Sequence, residues 1–190
     1  MTAPSVALTF TSDPEILEDV LTLQRLNLRK FLSPEESAAQ GFLYVEHDPV
    51  TLKSICRSEP AVVALDGKRL AAYALCMTRE HGHSVPELFD FFNLVDSLHV
   101  EGRALADHGF LVCGQVCVAK EYRGQGLMTS LYHKMSEHRS KYYYCVTEIS
   151  SRNTRSLHAH SKVGFVPIRE HRHADGESWQ IVLWDWNKIN

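Results

Sequence analysis

Between Gly114 and Met128 the chain reads GQVCVAKEYRGQGLM. An apolar strand pattern through Val116 and Val118 turns at Lys120–Tyr122 into Arg123-Gly124-Gln125-Gly126 and becomes helical at once. Leu127, Leu131 and Met135 recur every four residues, with Met128 and Tyr132 beside them; that spacing gives a helix one apolar face. Strand, glycine-rich turn and helix start together can form an anion site from backbone alone. Glycines admit close approach, and the first helical N–H groups point outward with the positive end of the helix dipole behind them. Arg123 would add a fork of donors suited to phosphate oxygens. The same residues also suit an ordinary strand-to-helix turn, so other stretches must decide.

The chain's 190 residues, 44% apolar and 23% charged, suit one globular domain with a substantial core. A formal charge of −3 provides no basic field, which disfavours nucleic acid and membrane surfaces as partners. No apolar run approaches the ~18 residues of a membrane span. The N-terminal MTAPSVALTF lacks the basic and apolar regions of an export signal. Cys56, Cys76, Cys113, Cys117 and Cys145 form no CxxC and sit mostly in strand-like apolar runs. They are expected to be reduced core residues of a cytoplasmic protein.

Residues 5–11 read as a strand. Ser12-Asp13-Pro14-Glu15 then starts a helix, by a Ser12/Glu15 capping box or by Asp13 with Pro14 at the first position. Its apolar face is expected to run from Ile16 through Leu28. Further helix starts lie at Ser33-Pro34-Glu35-Glu36, Asp48-Pro49 and Ser84-Val85-Pro86-Glu87. The last opens an aromatic-rich inserted segment, about 84–107, that either packs as core or walls a substrate site. Asp66-Gly67 joins strands 61–65 and 69–77 as a hairpin. Strand 110–118, the helix after Gly126, strand 142–150, a helix capped by Asn153 and stopped at Gly164, and strands near 166–171 and 179–186 complete a mixed α/β single domain. Alternation sets Tyr142, Tyr144, Val146 and Glu148 on one strand face.

The helix of Asn153–Phe165 (NTRSLHAHSKVGF) follows the RGQG loop by one strand. This pair of motifs resembles the GNAT superfamily of N-acetyltransferases, which carry Arg/Gln-x-x-Gly-x-Gly/Ala and then Asn-x-x-Ala/Ser-x-x-x-Tyr-x-x-x-Gly-Phe. Here Asn153, Ser156, His160, Gly164 and Phe165 fall at the family spacing. The detailed match covers about 110–168. It implies a mostly antiparallel, twisted sheet of about seven strands with helices on both faces, split between its fourth and fifth strands around acetyl-CoA. Carried over by position, backbone near Cys117 and Val118 would meet the acetyl and pantetheine portion. Arg123, Gly124, Gln125, Gly126, Leu127 and Met128 would hold the pyrophosphate, and Asn153 would contact the cofactor arm. Met128 departs from the family's Gly or Ala, so either its side chain points away from the phosphates or the loop sits slightly farther out.

Acetyl transfer requires a neutral amine, donors for the developing oxyanion, and a proton for the thiolate. Glu148 is the candidate base: it precedes Asn153 by five residues, and some family members that acetylate protein N-termini use a Glu at this offset. Its alternative is a strand-end charge, exposed or paired with Arg152 or Arg155. His160 stands where the family has its general-acid Tyr, and so is the candidate acid. A His there can also bond the sulfur, serve as base, or simply face solvent. The pairs His81/His83, His158/His160 and His171/His173 raise a metal reading, but no carboxylate pattern in the sequence completes a site, so no metal is expected. The expected partners are acetyl-CoA and an amine acceptor, either a small molecule or a protein. A catalytically silent acyl-CoA-binding module is the rival. The resemblance also implies a possible homodimer through late strands, which Trp179, Trp184 and Trp186 would serve unless they simply pack the core. On this reading, His160→Phe should lower kcat more than KM, as steady-state kinetics would measure.

Overall fold

In the computed structural model the described residues are 6–83, 85–173 and 175–189. Ser5 and Ser84, read above as part of a strand and as a helix start, lie outside them. The order is β1 (Val6–Thr11), α1 (Pro14–Arg25), α2 (Pro34–Gln40), α3 (Pro49–Ser58), β2 (Ala61–Asp66), β3 (Arg69–Met77), α4 (Phe89–Ser97), β4 (His99–Val100), β5 (Arg103–Ala104), β6 (Phe110–Val118), α5 (Leu127–Met135), β7 (Tyr144–Ser150), α6 (Thr154–Val163), β8 (Val166–Arg172) and β9 (Ser178–Asp185). Seven strands form one sheet in the order β1-β2-β3-β6-β7-β9-β8, and β4-β5 pair separately. Only β6 and β7 run parallel in the large sheet.

Local chemistry sets the helix starts. Asp13 caps α1, accepting from the Glu15 N–H with Pro14 at the first helical position. Ser33 and Glu36 form a reciprocal capping box on α2, and Asp48 caps α3. α1 stops at Arg25, short of the expected Leu28, because the chain there pairs with the segment beyond α2. Arg29 N–H donates to Leu43 O at 2.9 Å, and Leu43 N–H to Asn27 O at 2.8 Å. Residues 41–45 thereby form a strap across the sheet.

The strap lies over a gap. β6 and β7 pair only at Phe110↔Tyr144, Leu111↔Cys145 and Val112↔Val146, and then part. The divergence begins at a bulge: Leu75 opposes Gln115 and Cys76 opposes Cys113, so Gly114 is the extra residue. A bulge bends its strand and adds twist, which carries the rest of β6 away from β7. These are the fourth and fifth strands of the large sheet, as the resemblance implies. Gly114 is required by close approach, since a Cβ would lie 2.0 Å from Met77 Sδ in the core.

From Tyr144 onward the two faces of β7 sort as alternation predicts; Tyr142 lies before the strand and packs in the other core, with Cys145, not beside Tyr144 as expected. Tyr144 and Val146 join the core around α4, whereas Cys145 and Ile149 join the larger core beneath α1, α3 and α5. All five cysteines are free and buried. Trp179, Trp184 and Trp186 are also buried: Trp184 and Trp186 pack in this chain's larger core, and Trp179 lies against Tyr44 and His173. Among the described residues no helix is long and apolar enough to cross a membrane. Gly114→Ala should cost about 1–3 kcal/mol, the usual range for overpacking a filled core, as urea unfolding would measure.

Candidate active site

The gap between β6 and β7 opens into two cavities that meet beneath the strap. One is bordered by the RGQG loop, the end of β6 and α6. At Gly124 and Gly126, φ is +76° and +80°, a conformation that L side chains rarely adopt. Gly126 is the N-cap of α5 and no side chain caps the helix, which leaves its first N–H groups for an anion. Arg155 and Lys162 of α6 border the same groove, a cationic rim that fits a polyanionic cosubstrate despite the chain's net negative charge. Met128 packs against the core, so its side chain need not crowd the loop. Gln125 sits at the exposed rim, donating to Glu121 O.

Arg123 is arranged differently from the fork expected at the phosphate. Its Nε donates to Val118 O at 3.1 Å and its terminal nitrogens to Gln40 Oε1 and Asn27 Oδ1 at 3.0 and 2.6 Å. These bonds staple the loop to β6 and to the strap's flanks, leaving anion contact chiefly to backbone N–H groups. The two expected backbone donors also separate. Ala119 N–H donates to Ala71 O of the chain just before Ala72. Alternation therefore sends the Cys117 N–H to β3 and turns the Val116 and Val118 N–H groups toward the gap. Asn153 caps α6 through Oδ1 to the Ser156 N–H, while its amide donates to Phe42 O of the strap. Both polar atoms of its side chain are thus spent on organising backbone, while the residue itself borders both cavities.

The second cavity is walled by the strap, the inserted segment and β7, with Tyr44, Leu88, Phe91 and Trp179 as apolar surface and Glu87 and Glu148 as acids. Glu148 reaches neither Arg152 nor Arg155. Its side chain is only 6% exposed, and Oε2 accepts from His171 Nε2 at 3.0 Å and His173 Nε2 at 3.4 Å. Those two histidines lie on or beside β8, beyond the intervening β9. The hydrogen bond with Glu148 raises the His173 pKa, and the ring stacks on Trp179 at 4.7 Å. The sequence paired these histidines but could not show the carboxylate, which comes from a strand two positions away. His81 lies elsewhere, bonded to Ser58.

His160 borders this cavity but is 2% exposed, with both nitrogens engaged. Nδ1 lies 2.8 Å from Ser156 O, a pure acceptor, so it carries the proton; Nε2 then accepts from Tyr132 Oη at 2.6 Å. Burial pushes its pKa down to about 4. A neutral ring whose one N–H is already donated has no proton to offer a thiolate. Ser156 Oγ, 3.2 Å from the same Nδ1–H, is accordingly an acceptor there and keeps its own proton to donate. Phe42, Leu43, Val116, Asn153 and Ser156 border both cavities. Ser156 is the one among them whose polar side chain is not spent on backbone organisation.

Polar bonds invisible in the sequence hold the strap over the gap. Gln115 donates to Val45 O at 2.9 Å while its Oε1 accepts from Gln24 and Tyr73 at 2.9 and 2.5 Å. Arg29 pairs with Glu177 at 2.5 Å, and Tyr44 donates to Asp175 at 2.9 Å.

A family model described as "Acetyltransferase (GNAT) family" matches residues 25–165. No curated protein matches the chain in sequence. Among solved structures, a Drosophila melanogaster polyamine N-acetyltransferase that forms N-acetylagmatine superposes with a TM-score of 0.69 at 15% identity, over 95% of this chain and 100% of its own. The ribosomal-protein-S18-alanine N-acetyltransferase of Escherichia coli gives 0.57 at 13% identity, over 97% and 96%. A Salmonella typhimurium protein solved with acetyl-CoA gives 0.59 at 12%, over 97% and 96%. At these identities the likeness establishes the fold.

The buried histidines make stability depend on acid. Burial lowers both His47 and His160 to about 4, against an ordinary value near 6.5. Their contribution is fully present above about pH 6.5 and is lost as pH falls toward 4, at up to about 1.4 kcal/mol per unit for each ring. The urea midpoint should therefore drop across that window, and less steeply in His160→Gln. An identical slope in the variant would remove His160 from this role. His160→Phe should cost about 1–3 kcal/mol of stability, because the Tyr132 hydroxyl loses its acceptor.

Proposed function

Because the chain belongs to the acetyltransferase (GNAT) family, we propose that it transfers an acetyl group from acetyl-CoA to a primary amine. The observation that carries this reading is the junction of the two cavities under the strap: a groove with a cationic rim and an uncapped helix N-terminus ends where a cavity containing a buried carboxylate begins. Acetyl-CoA supplies an activated acetyl thioester. The residues of this chain orient it, polarise it and move protons. The helix N-terminus at Leu127–Thr129 and the rim of Arg155 and Lys162 hold the phosphates. The Val118 N–H faces the gap as a donor to the carbonyl oxygen.

An alkyl amine has a pKa of about 10 and must lose a proton to react. Glu148 takes it: Oε2 is held by the two imidazoles, and among the described residues Oε1 accepts no hydrogen bond. As the new C–N bond forms and the C–S bond breaks, the Ser156 hydroxyl donates to the departing sulfur. His160 acts behind it as a neutral support, joining α5 to α6 through Tyr132. The acceptor is a cationic small amine. Aromatic walls with Glu87 and Glu148 suit a positively charged chain, and the inserted α4 segment encloses the cavity. The free buried cysteines suit a reducing compartment such as the cytoplasm.

The test is a panel of amines with acetyl-CoA, monitored by thiol release. Glu148→Gln should lower kcat by about 10²–10⁴-fold, the usual worth of a general base, and Ser156→Ala should lower it less. Both should retain the rise in melting temperature that acetyl-CoA produces, which corresponds to a stabilisation of about 2.7 kcal/mol at a hundred times Kd. A melting shift without turnover on any amine would identify a binding module instead.

A further inference from the structure

We infer that Glu148, His171 and His173 form a binding site for a first-row divalent transition cation, with Zn²⁺ the best match to the donors. Their ligand atoms all lie within 4.8 Å of one another. The separations from Glu148 Oε2 to the two Nε2 atoms are 3.0 and 3.4 Å. A tetrahedral ion with bonds of about 2.0–2.1 Å sets its ligands about 3.3 Å apart, so the observed spacing needs only small side-chain adjustment. Two imidazole nitrogens and one carboxylate oxygen suit zinc better than magnesium or calcium, which prefer all-oxygen shells. Three protein ligands also leave a fourth position free on the cavity side.

The surroundings favour a cation. The three side chains are 6%, 13% and 17% exposed, and no Lys or Arg pairs with Glu148 among the described residues. Asp90 and Asp175 add negative field at His173. The rings are held by packing: His173 stacks on Trp179, and His171 lies against His173 with centroids 5.1 Å apart. In the metal-free protein each Nε2–H donates to Glu148. On binding, that proton moves to Nδ1, which makes no hydrogen bond among the described residues, and the two Nε2–H bonds to Glu148 are exchanged for bonds to the ion.

One consequence rests on the acetyltransferase reading above. An ion on Glu148 Oε2 withdraws charge from the whole carboxylate and weakens Oε1 as the acceptor of the amine proton, so Zn²⁺ should suppress turnover reversibly. The experiment adds Co²⁺ to the EDTA-treated 190-residue chain and records its visible d–d absorption and binding isotherm. We expect a tetrahedral-type band saturating at one ion per chain and displaced by Zn²⁺. His171→Ala and His173→Ala should weaken binding more than about 100-fold, since even outer partners of a ligand are worth about 10–100-fold. The milder His171→Gln and His173→Gln guard against misfolding, and circular dichroism confirms the fold of each. His99→Ala, on the exposed β4 hairpin, should bind like the parent. No saturable band, or a band unchanged in the ligand variants, overturns the site. A band without acetyl transfer to any amine upholds the metal site and sinks the catalytic reading. Turnover without a band, unaffected by Zn²⁺, does the reverse.

Discussion

The parting of β6 from β7 is the constraint on which the rest of the structure depends. Three residue pairs join these parallel strands before the Gly114 bulge bends β6 away. Complete pairing would spend the Val116 and Val118 backbone groups in a ladder and leave no room between the strands. Parting exposes those groups at the centre of the protein, where unpaired polar groups are costly unless a ligand or water meets them. The fold tolerates that cost at the place where a cosubstrate can repay it.

Side chains distant in sequence keep the gap from collapsing. Gln115 reaches Gln24, Tyr73 and Val45; Arg29 reaches Glu177; Asn153 reaches Phe42; and Arg123 reaches Asn27 and Gln40. Each bond fixes the strap or its flanks relative to the splayed strands. Buried networks of this kind are high-stakes, because losing one partner leaves the others unsatisfied. The strap divides the interior into a cationic groove and an acidic, aromatic cavity, so the opposite charges of the two chambers meet only at Ser156 and its neighbours.

Elements governed by local chemistry were legible in the chain. Asp13-Pro14, the Ser33/Glu36 box, Asp48, the Asp66-Gly67 turn and the Gly164 stop each act within a few residues, and the alternation of β7 set Glu148 among its correct neighbours. Positions governed by distant partners were not. α1 ends early because Asn27 and Arg29 pair with Leu43. The inserted segment is α-helical from Phe89 to Ser97, after a short 3-10 turn at Pro86–Leu88, and then forms the β4-β5 hairpin and a second 3-10 turn at Leu105–Asp107. His160 occupies a recognisable motif position, yet Tyr132 and burial decide its protonation.

The sequence by itself determined the family, the order of elements and the glycine loop that opens α5, because these depend on residue type and short spacing. Tertiary structure alone decided what the charged and titratable groups do. It turned Arg123 inward, buried His160 as a neutral acceptor, freed the Ser156 hydroxyl, and carried His171 and His173 across β9 to Glu148. Electrostatics and desolvation act through space, over distances that linear order does not encode.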